Sequence, residues 1–370
     1  MSSTPTFAPN GFGRKAPRTE PLGLLGPDRL SALMLARAAW ILLVLCTVCH
    51  AAPARAERFV IDMAHRRVKV PDHVHTVVTV GPVPVINSFI FAFGRASAIL
   101  NGLPQNYRTS HRWIYQNVFS PNLLTRPAIQ SSGGSPAIED IIAIHPDLVL
   151  AMDLDVVESL RRVGLPALYL AWRDPDDVKA VMRVLGDLFE EPEVARAYSD
   201  YFDGVLAIVQ RKLASNPSRP RVLYCSLGRL TQPHLIAEWW IDKAGGQSVT
   251  ADGRVTESTS FSLEQLLSWN PEVLIVTDPR EIGMAYSDPR FASLSAVRNH
   301  RVFAAPNGAH LWGNRTVEQP LVVMWAAKMI NPTLFKDVDV EREVAGFYSR
   351  FFRVQLRPEQ VRDILAGTPE

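Results

Sequence analysis

The chain has few cysteines, and we predict that none of them forms a disulfide in the mature protein. Only three occur in 370 residues, namely Cys46, Cys49 and Cys225. The first two lie in an N-terminal segment that we expect to be removed. Cys225 then stands alone in the strand-like run 222–226, where a buried, inert thiol is expected. A fold held together by intrachain disulfides is therefore excluded.

The sequence also lacks a hydrophobic run long enough to predict a membrane span. Its most apolar stretch, residues 38–48, follows Arg37 and precedes Ala-Arg-Ala at residues 54–56. A short apolar run before a small-x-small pattern is typical of a secretory signal peptide. We expect cleavage after residue 56, a mature chain from Glu57 and a periplasmic location. Met34 is an alternative start that gives a signal peptide of ordinary length.

A lipid anchor and later membrane insertion are not expected. Neither Cys46 nor Cys49 follows the small residue that a bacterial lipoprotein signal requires, because Leu45 and Val48 precede them. The sequence therefore predicts soluble export.

Neither sign of charge dominates the sequence. The whole chain has 39 Lys/Arg and 37 Asp/Glu, a net charge of +2. Cleavage after residue 56 would remove six of the bases and two of the acids, which leaves a net charge of −2. Nothing in the mature chain therefore points to nucleic acid as a partner.

The sequence also lacks the common catalytic and nucleotide-binding motifs. No G-x-G-x-x-G or G-x-x-x-x-G-K-[ST] follows a predicted strand. The run Gly-Gly-Ser-Pro-Ala at residues 133–137 approximates a nucleophile elbow, and His310 lies downstream as in α/β-hydrolases. However, Pro136 follows the serine and has no N–H to offer an oxyanion. We predict no catalytic residue, no cofactor and no enzyme; a secreted hydrolase using Ser135 is the alternative of a different class.

A dedicated metal site is not predicted either. His73 and His75 share one face of an extended segment, but the adjacent Asp72 is the one acid next to them in the sequence and no cysteine lies near.

A long helical run in the middle of the chain organises the sequence. Apolar residues recur at helical spacing from about residue 176 to 214, with an interruption at Pro192, which is best tolerated at the start of a new helix. Strands alternate with helices on both sides, which predicts α/β segments with parallel sheets. Periodicity alone fits either a helix joining two lobes or a long surface helix of one domain.

An internal repeat favours two lobes. Glu139 and Glu264, 125 residues apart, each lie seven residues before a proline, which is followed by an acid and an apolar strand. One copy precedes the helical run and the other follows it. A duplicated lobe explains this better than chance.

Several segments, taken in order, resemble one protein family. They are Val77-Val-Thr-Val-Gly81, the two Glu units, Ala244-Gly-Gly-Gln-Ser248, Phe335-Lys-Asp-Val-Asp-Val, Phe347-Tyr-Ser-Arg-Phe-Phe352 and Leu356-Arg-Pro-Glu-Gln360. Together they span roughly residues 70–365. The chain resembles the substrate-binding proteins of ABC importers for iron-siderophores, haem and cobalamin.

The resemblance implies a fold, a ligand class and a partner. The implied fold is α/β, with two Rossmann-like lobes whose parallel sheets are joined by a single long helix, and a ligand cleft between the lobes. The implied segments are a leader and signal peptide at 1–56, lobes at 57–175 and 217–370, and spine helices at 176–216. The implied partner is an ABC importer permease, to which Glu139 and Glu264 would dock, one on each lobe. The alternative for each Glu is an acid that favours its helix N-terminus.

Candidate ligand residues lie in loops where predicted strands end, because such loops line ligand clefts. Arginine offers a planar fork for anionic oxygens, and aromatic rings offer a flat surface for a chelate. The predicted ligand-binding residues are Arg112, Trp113, Tyr115, Trp172, Arg229, Trp239, His310, Trp312 and Arg315. The alternative for the aromatic residues is structural packing. We expect an iron(III)-siderophore or a similar metal chelate, then cobalamin or haem, then a bare metal or oxyanion.

Overall fold

Two small parallel sheets carry the fold, one before and one after the long helices. The computed structural model describes Arg18, residues 57–216 and residues 218–367. The predicted signal peptide with Cys46 and Cys49, the alternative start at Met34 and the cleavage after residue 56 lie outside these described residues. Within the described ranges, no helix is both long and apolar enough to cross a membrane.

The strands are β1 Arg58–Ile61, β2 Arg67–Val70, β3 Val77–Val80, β4 Leu148–Ala151, β5 Ala167–Tyr169, β6 Arg221–Cys225, β7 Thr231–Gln232, β8 Gln247–Ser248, β9 Thr259–Ser260, β10 Val273–Val276 and β11 Val302–Ala304. The α-helices are α1 Val83–Phe91, α2 Gln105–Arg108, α3 Ile114–Phe119, α4 Ile138–Ala143, α5 Leu154–Arg162, α6 Pro175–Phe189, α7 Pro192–Leu213, α8 Ile236–Lys243, α9 Leu263–Trp269, α10 Arg280–Ser287, α11 Ser295–Arg298, α12 Gln319–Ile330, α13 Val340–Phe347 and α14 Pro358–Leu365. Short 3-10 turns lie at Ala96–Ala98, His111–Trp113, Pro121–Leu124 and Pro289–Phe291, and a π-helix lies at Tyr348–Phe352.

The first sheet has the order β3-β4-β5, and all its pairings are parallel. Every residue of β3 and β4 is buried, as expected for a parallel sheet that is covered on both faces. Alternate residues enter different cores: Leu148 and Leu150 join the large central core, whereas Val149 and Ala151 join a smaller one. This period of two is the ordinary strand geometry, with successive side chains on opposite faces.

The second sheet repeats this plan with the order β11-β10-β6-β8. Its pairings are also parallel. Tyr224 and Ile275 face the same central core as the first sheet, whereas Cys225 and Val276 face a separate one. Cys225 is fully buried, and burial raises the pKa of its thiol. The predicted fold class, two α/β lobes with parallel sheets on a helical backbone, is confirmed.

The helical backbone consists of α6 and α7, which meet at a sharp break. Glu190 takes a left-handed conformation with φ of 59°, and Pro192 is the first residue of α7. α7 has 22 residues, so it is about 33 Å long. It packs against α6 on one side and α12 on the other. One core therefore continues from the first lobe through the backbone helices into the second.

The C-terminal tail returns to the first lobe. The Phe352 ring lies 4.9 Å from the Phe119 ring, edge to face, and 6.1 Å from the Phe91 ring. The Phe351 ring packs edge-on against Tyr198 of α7, 5.7 Å away. The tail, which the sequence assigns to the second lobe, thus also stabilises the first; the lobe boundaries themselves remain predictions.

Residues 58–70 precede the first sheet. They form an antiparallel hairpin, in which β2 alternates exposed and buried residues. The buried Asp62 carboxylate accepts hydrogen bonds from the backbone N–H groups of Ala64, Arg66 and Tyr169. The alternation Arg-Val-Lys-Val is visible in the sequence, but the strands have only four residues each, which gives a weak signal.

The contact between α7 and the second lobe yields a matched pair of variants. Tyr198 donates a buried hydrogen bond of 2.7 Å to the Val317 carbonyl, whereas the buried Tyr201 hydroxyl has no hydrogen-bond partner among the described residues. We expect Tyr198→Phe to lower the free energy of unfolding by about 1–3 kcal/mol, because the carbonyl loses its partner. Tyr201→Phe should change it little. Urea denaturation followed by circular dichroism measures both, and equal losses would contradict this assignment.

Candidate functional site

The candidate site lies where strands of the second sheet end and face a loop of the first lobe. Ser226 follows β6, and Thr277 and Asp278 follow β10, which is the neighbour of β6. Ligands of open α/β sheets usually bind beyond the carboxyl ends of the strands. Two cavities open here, cavity A of about 320 Å³ and cavity B of about 370 Å³.

The two cavities share Arg112, Arg229 and Asp278. Cavity A is also lined by Asn106, Tyr107, Ser110, Trp113, Pro279, Arg280 and Gly367. Cavity B is also lined by Ser226, Gly228, Thr231, Pro233, His234, Thr277, Glu281, Leu311 and Asn314. Both volumes lie at the lower end of the range of about 300–1,000 Å³ that is typical of small-molecule sites.

Arg112 reaches from the first lobe to the second. It sits in the turn His111–Trp113, and its guanidinium donates a 3.1 Å hydrogen bond to the Thr277 carbonyl. The Asp278 carboxylate lies 4.0 Å from the same nitrogen. The Arg112 backbone carbonyl accepts a 2.7 Å bond from Asn307. Contacts on both its main chain and side chain therefore position this cation at the mouth of both cavities.

Arg229 supplies the second cation, from the turn after β6. Its side chain is exposed and lines both cavities. Within the part of the chain that the structure describes, no hydrogen bond or ion pair engages its guanidinium. The five N–H donors of Arg229 are thus available to a ligand.

Two carboxylates lie beside these arginines. Asp278 pairs with Arg280 at 2.7 Å, and that hydrogen bond keeps the pKa of Asp278 below its usual value. Glu281 is buried, and one of its oxygens accepts from the Ser226 hydroxyl at 3.0 Å and the Gly228 N–H at 2.9 Å. The site therefore combines both signs of charge rather than a purely positive surface.

Trp113 is the predicted aromatic residue that does line a cavity. Its half-buried ring meets Tyr107 edge to face, 5.3 Å away, and both line cavity A. On its other side lies the His310 ring, 5.0 Å away. Burial lowers the pKa of His310 to about 3, so this imidazole is neutral at pH 7. His310 supports Trp113 and is not among the residues that line cavity A or cavity B.

Four of the aromatic residues that we predicted to bind the ligand lie away from both cavities. Tyr115 is 3% exposed and donates its hydroxyl to the Gln360 carbonyl, and Trp312 is fully buried. Trp172 packs edge-on against Phe89 in the core. Trp239 packs on Phe202 of α7. None of the four lines cavity A or B, and we remove them from the ligand set. Residue type alone does not separate a ring that lines a cleft from one that packs inside the protein, and here all four rings pack against protein groups.

Arg315, also predicted to bind the ligand, already donates its hydrogen bonds to other protein groups. Its guanidinium forms two hydrogen bonds with the Glu257 carboxylate, at 2.7 and 2.8 Å, and a further one with the Arg173 carbonyl. Its own carbonyl accepts from the Trp172 indole at 3.3 Å. Arg315 and Trp172 therefore join the two lobes, and we remove Arg315 from the ligand set as well.

A buried acid that sequence reasoning missed holds the loop between β11 and α12. Glu318 is fully buried and accepts hydrogen bonds from Ala309 N–H at 2.7 Å and His310 N–H at 3.0 Å. The hydroxyls of Thr316, at 2.9 Å, and of Tyr348 complete its contacts. Burial raises the pKa of Glu318 to about 7, although these hydrogen bonds oppose the shift. Helical periodicity cannot show such a residue, because Glu318 precedes α12 in a position that looks like an ordinary helix-start acid.

Other lining residues were missed as well. Asp278 and Glu281 lie beyond the carboxyl end of β10, where ligands of parallel sheets usually bind. The helix α10 that carries Glu281 was not predicted, because its apolar residues are few. Among the described residues, no group of three or more His, Cys, Asp and Glu is placed to hold a metal ion.

The two docking candidates occupy equivalent exposed positions. Glu139 lies in the first turn of α4 and Glu264 in the first turn of α9. A capping box starts α9, since Ser262 and Gln265 exchange hydrogen bonds there. In the repeat, α4 leads to β4 as α9 leads to β10, which confirms the predicted helix-to-strand units.

The burial of Trp312 predicts a contrast with Trp113. Trp312→Ala should lower the free energy of unfolding by about 3–5 kcal/mol, because it leaves a cavity in the core. Trp113→Ala should cost clearly less, since this ring is only partly buried and lines cavity A. Thermal and urea unfolding of both variants measures the difference. If Trp312→Ala were as stable as Trp113→Ala, our core assignment would be wrong.

Comparison with known proteins places this geometry in a family. A family model described as periplasmic binding protein matches residues 112–309. The molybdate-binding protein MolA of Haemophilus influenzae is 23% identical over 343 residues, covering 83% of this chain and 94% of that protein.

Solved structures share the fold. A periplasmic solute-binding protein from Veillonella parvula matches with a TM-score of 0.74 and 24% identity, covering 83% of this chain and 96% of that one. MolA bound to molybdate matches with a TM-score of 0.70 and 22% identity, covering 81% of this chain and 99% of that one. CeuE of Helicobacter pylori with Ni(II) bound matches with a TM-score of 0.64 and 17% identity, covering 84% of this chain and 100% of that one.

The family match covers more than half of the chain. The α/β fold with its interlobe cleft agrees with it, and the members are solute-binding proteins rather than enzymes, which removes the hydrolase alternative. The chain belongs to the periplasmic binding protein family and is a solute-binding protein of an ABC transporter.

Proposed function

We propose that this protein binds a small anionic ligand in the cleft, between Arg112 and Arg229. The observation that carries the proposal is that these two guanidinium groups come from different lobes and line both cavities. Guanidinium forks form strong, directional hydrogen bonds with anionic oxygens. Arg229 has no partner among the described residues, so a ligand can bind it without displacing a protein group.

A tetrahedral oxyanion such as molybdate is our first candidate. Cavities of about 320 and 370 Å³ suit a small ligand, and the similar protein MolA is named for binding molybdate. The Ser110 and Thr231 side chains that line the cavities offer hydroxyl donors beside the arginines. An oxyanion needs such a shell of donors once it leaves water.

An anionic iron(III)-siderophore, our first choice from the sequence, becomes the second candidate. The observation in its favour is the Tyr107–Trp113 pair, whose rings offer cavity A a flat apolar wall that a bare oxyanion does not need. Haem and cobalamin, the further alternatives, would use the same wall. They have less support, because His310 lines neither cavity.

The delivery step requires docking to an ABC importer, and we propose Glu139 and Glu264 as its contacts. Both are exposed, and each marks the start of the repeated helix in its own lobe. One contact on each lobe is the minimum that fixes the orientation of the protein on a permease. Carboxylates pair bidentately with arginine, which gives register as well as attraction.

The ligand proposal is tested by calorimetry with molybdate, tungstate, sulfate and a ferric siderophore. We expect molybdate to bind, and Arg229→Ala to weaken binding by about 10- to 100-fold, because a hydrogen bond to a charged group contributes about 1.5–3 kcal/mol. The control is Arg290→Ala, which removes the same charge from an exposed arginine that is paired with Asp288 outside both cavities. Equal effects of the two variants would contradict a direct contact. Binding of the siderophore alone would select the second candidate.

The docking proposal predicts an additive loss of transport. Glu139→Ala and Glu264→Ala should each reduce uptake with the cognate importer, and the double variant should reduce it further while ligand affinity stays unchanged. Asp140→Ala is the matched control, since this exposed acid is the neighbour of Glu139 in the same helix turn. A double variant with normal uptake would leave both residues as helix-start acids.

A further inference from the structure

The loop between β11 and α12 is hydrogen-bonded to the first lobe, and one buried acid fixes the position of this loop. From the first lobe, Gln116 donates to the Ala309 carbonyl at 2.6 Å, and the Arg112 carbonyl accepts from Asn307 at 2.7 Å. Leu311 and Asn314 of the same loop line cavity B. The position of this loop therefore sets both the mouth of the cleft and part of its wall.

We propose that Glu318 is a positioning residue for ligand binding: its carboxylate fixes the 306–315 loop, and thereby Arg112 and Trp113, in the geometry that the ligand requires. This inference rests on the proposed function, because it assigns Glu318 an effect on the same cleft. Glu318 touches neither cavity and acts through the loop.

The geometry shows why a carboxylate is needed. Ala309 N–H binds one oxygen of Glu318 and His310 N–H binds the other, so both oxygens must accept at once. A glutamine side chain has a single acceptor oxygen and would turn its amide N–H toward one of these backbone donors. The loop backbone packs closely on these groups at Gly308, because a Cβ there would overlap both the Tyr348 hydroxyl and the Glu318 carboxylate. The loop therefore has little room to shift when a hydrogen bond is lost.

The loop in turn holds the two ligand-facing groups of the first lobe. Asn307 binds the Arg112 backbone, and the His310 ring packs against the Trp113 ring at 5.0 Å. If the His310 N–H lost its acceptor, the His310 ring would no longer be held against the Trp113 ring. Small displacements of Arg112 weaken a hydrogen bond to an anion steeply, since such bonds depend on distance and angle.

Glu318 is also able to change its charge near neutral pH. Burial holds its pKa at about 7, so the carboxylate predominates above that pH and the acid below it. The ionisable groups that interact with it are Tyr348, Tyr198 and His310. Burial raises the pKa of both tyrosines and lowers that of His310 to about 3, so all three stay neutral near pH 7.

Protonation affects the four donors unequally. The hydroxyls of Thr316 and Tyr348 can rotate and accept the new proton, but the N–H groups of Ala309 and His310 can only donate. The oxygen that gains the proton becomes the weaker acceptor, so one backbone hydrogen bond loosens. We therefore expect a more mobile loop and weaker ligand binding below about pH 7.

Calorimetry with molybdate from about pH 5.5 to about pH 8.5 tests this inference in the full protein and in Glu318→Gln. At about pH 8 we expect the variant to bind about tenfold more weakly, as for the loss of one hydrogen bond to a charged acceptor. Below about pH 6 the two proteins should differ by less than about threefold, because the side chain at position 318 is then uncharged in both. The ratio of the two affinities removes any titration of the ligand itself. A ratio that stays constant with pH overturns the proposal.

Tyr348→Phe provides a second test that does not require Glu318→Gln to fold. Removing the Tyr348 hydroxyl takes away a donor that favours the carboxylate, so the midpoint of the pH dependence should move to higher pH. A merely structural role of Tyr348 would lower affinity at every pH without moving the midpoint, and that outcome would overturn the proposal.

Amide hydrogen exchange of ligand-free protein separates this inference from the proposed function. After correction for the intrinsic rate, Ala309 and His310 should exchange faster below the pKa of Glu318 than above it, whereas Trp312, whose N–H binds the Pro306 carbonyl, should change less. If this contrast is seen but no anion binds, the proposed function fails while Glu318 keeps its role in the loop. If the contrast is missing, the inference fails whatever the ligand.

Discussion

The contact on which the cleft depends is the buried carboxylate of Glu318 with its four donors. Burying an acid is unfavourable unless its oxygens are hydrogen-bonded, and here every donor comes from the loop itself or from the returning tail. Folding of the tail and ordering of the loop are therefore coupled, since Tyr348 completes the shell only when the tail lies against the first lobe.

The same loop gives the lobes a fixed relative position. Residues 309–317 receive hydrogen bonds from Gln116, Trp172 and Tyr198, all of which belong to the first lobe or the backbone helices. These are buried or half-buried bonds, so breaking them exposes unpaired groups to an apolar core. For the proposed function, these bonds favour a largely preformed cleft, whose specificity would depend on the placement of a few side chains.

The sequence predicted the fold better than the site, for a physical reason. Apolar periodicity shows which face of a strand or helix is buried, so the parallel strands, the α7 helix and the repeated helix-to-strand units could be read directly. Residues in non-periodic loops have no such signal. Trp113 and Tyr115 are only two positions apart, in a short turn and at the start of α3, yet one lines cavity A and the other is buried against the tail. Only the position of the distant tail decides between them.

Charge balance in the cleft bears on what the protein can select. Two arginines next to Asp278 give a weaker positive potential than arginines alone, because its carboxylate offsets part of it. Asp278 is itself neutralised by Arg280, so Arg229 remains the cation with most of its charge free. Such a site distinguishes anions by where their oxygens fall relative to fixed donors and acceptors, rather than by total charge. For the proposed anion, Asp278 on one side and the free Arg229 guanidinium on the other favour a compact ligand held on the arginine side of the cleft.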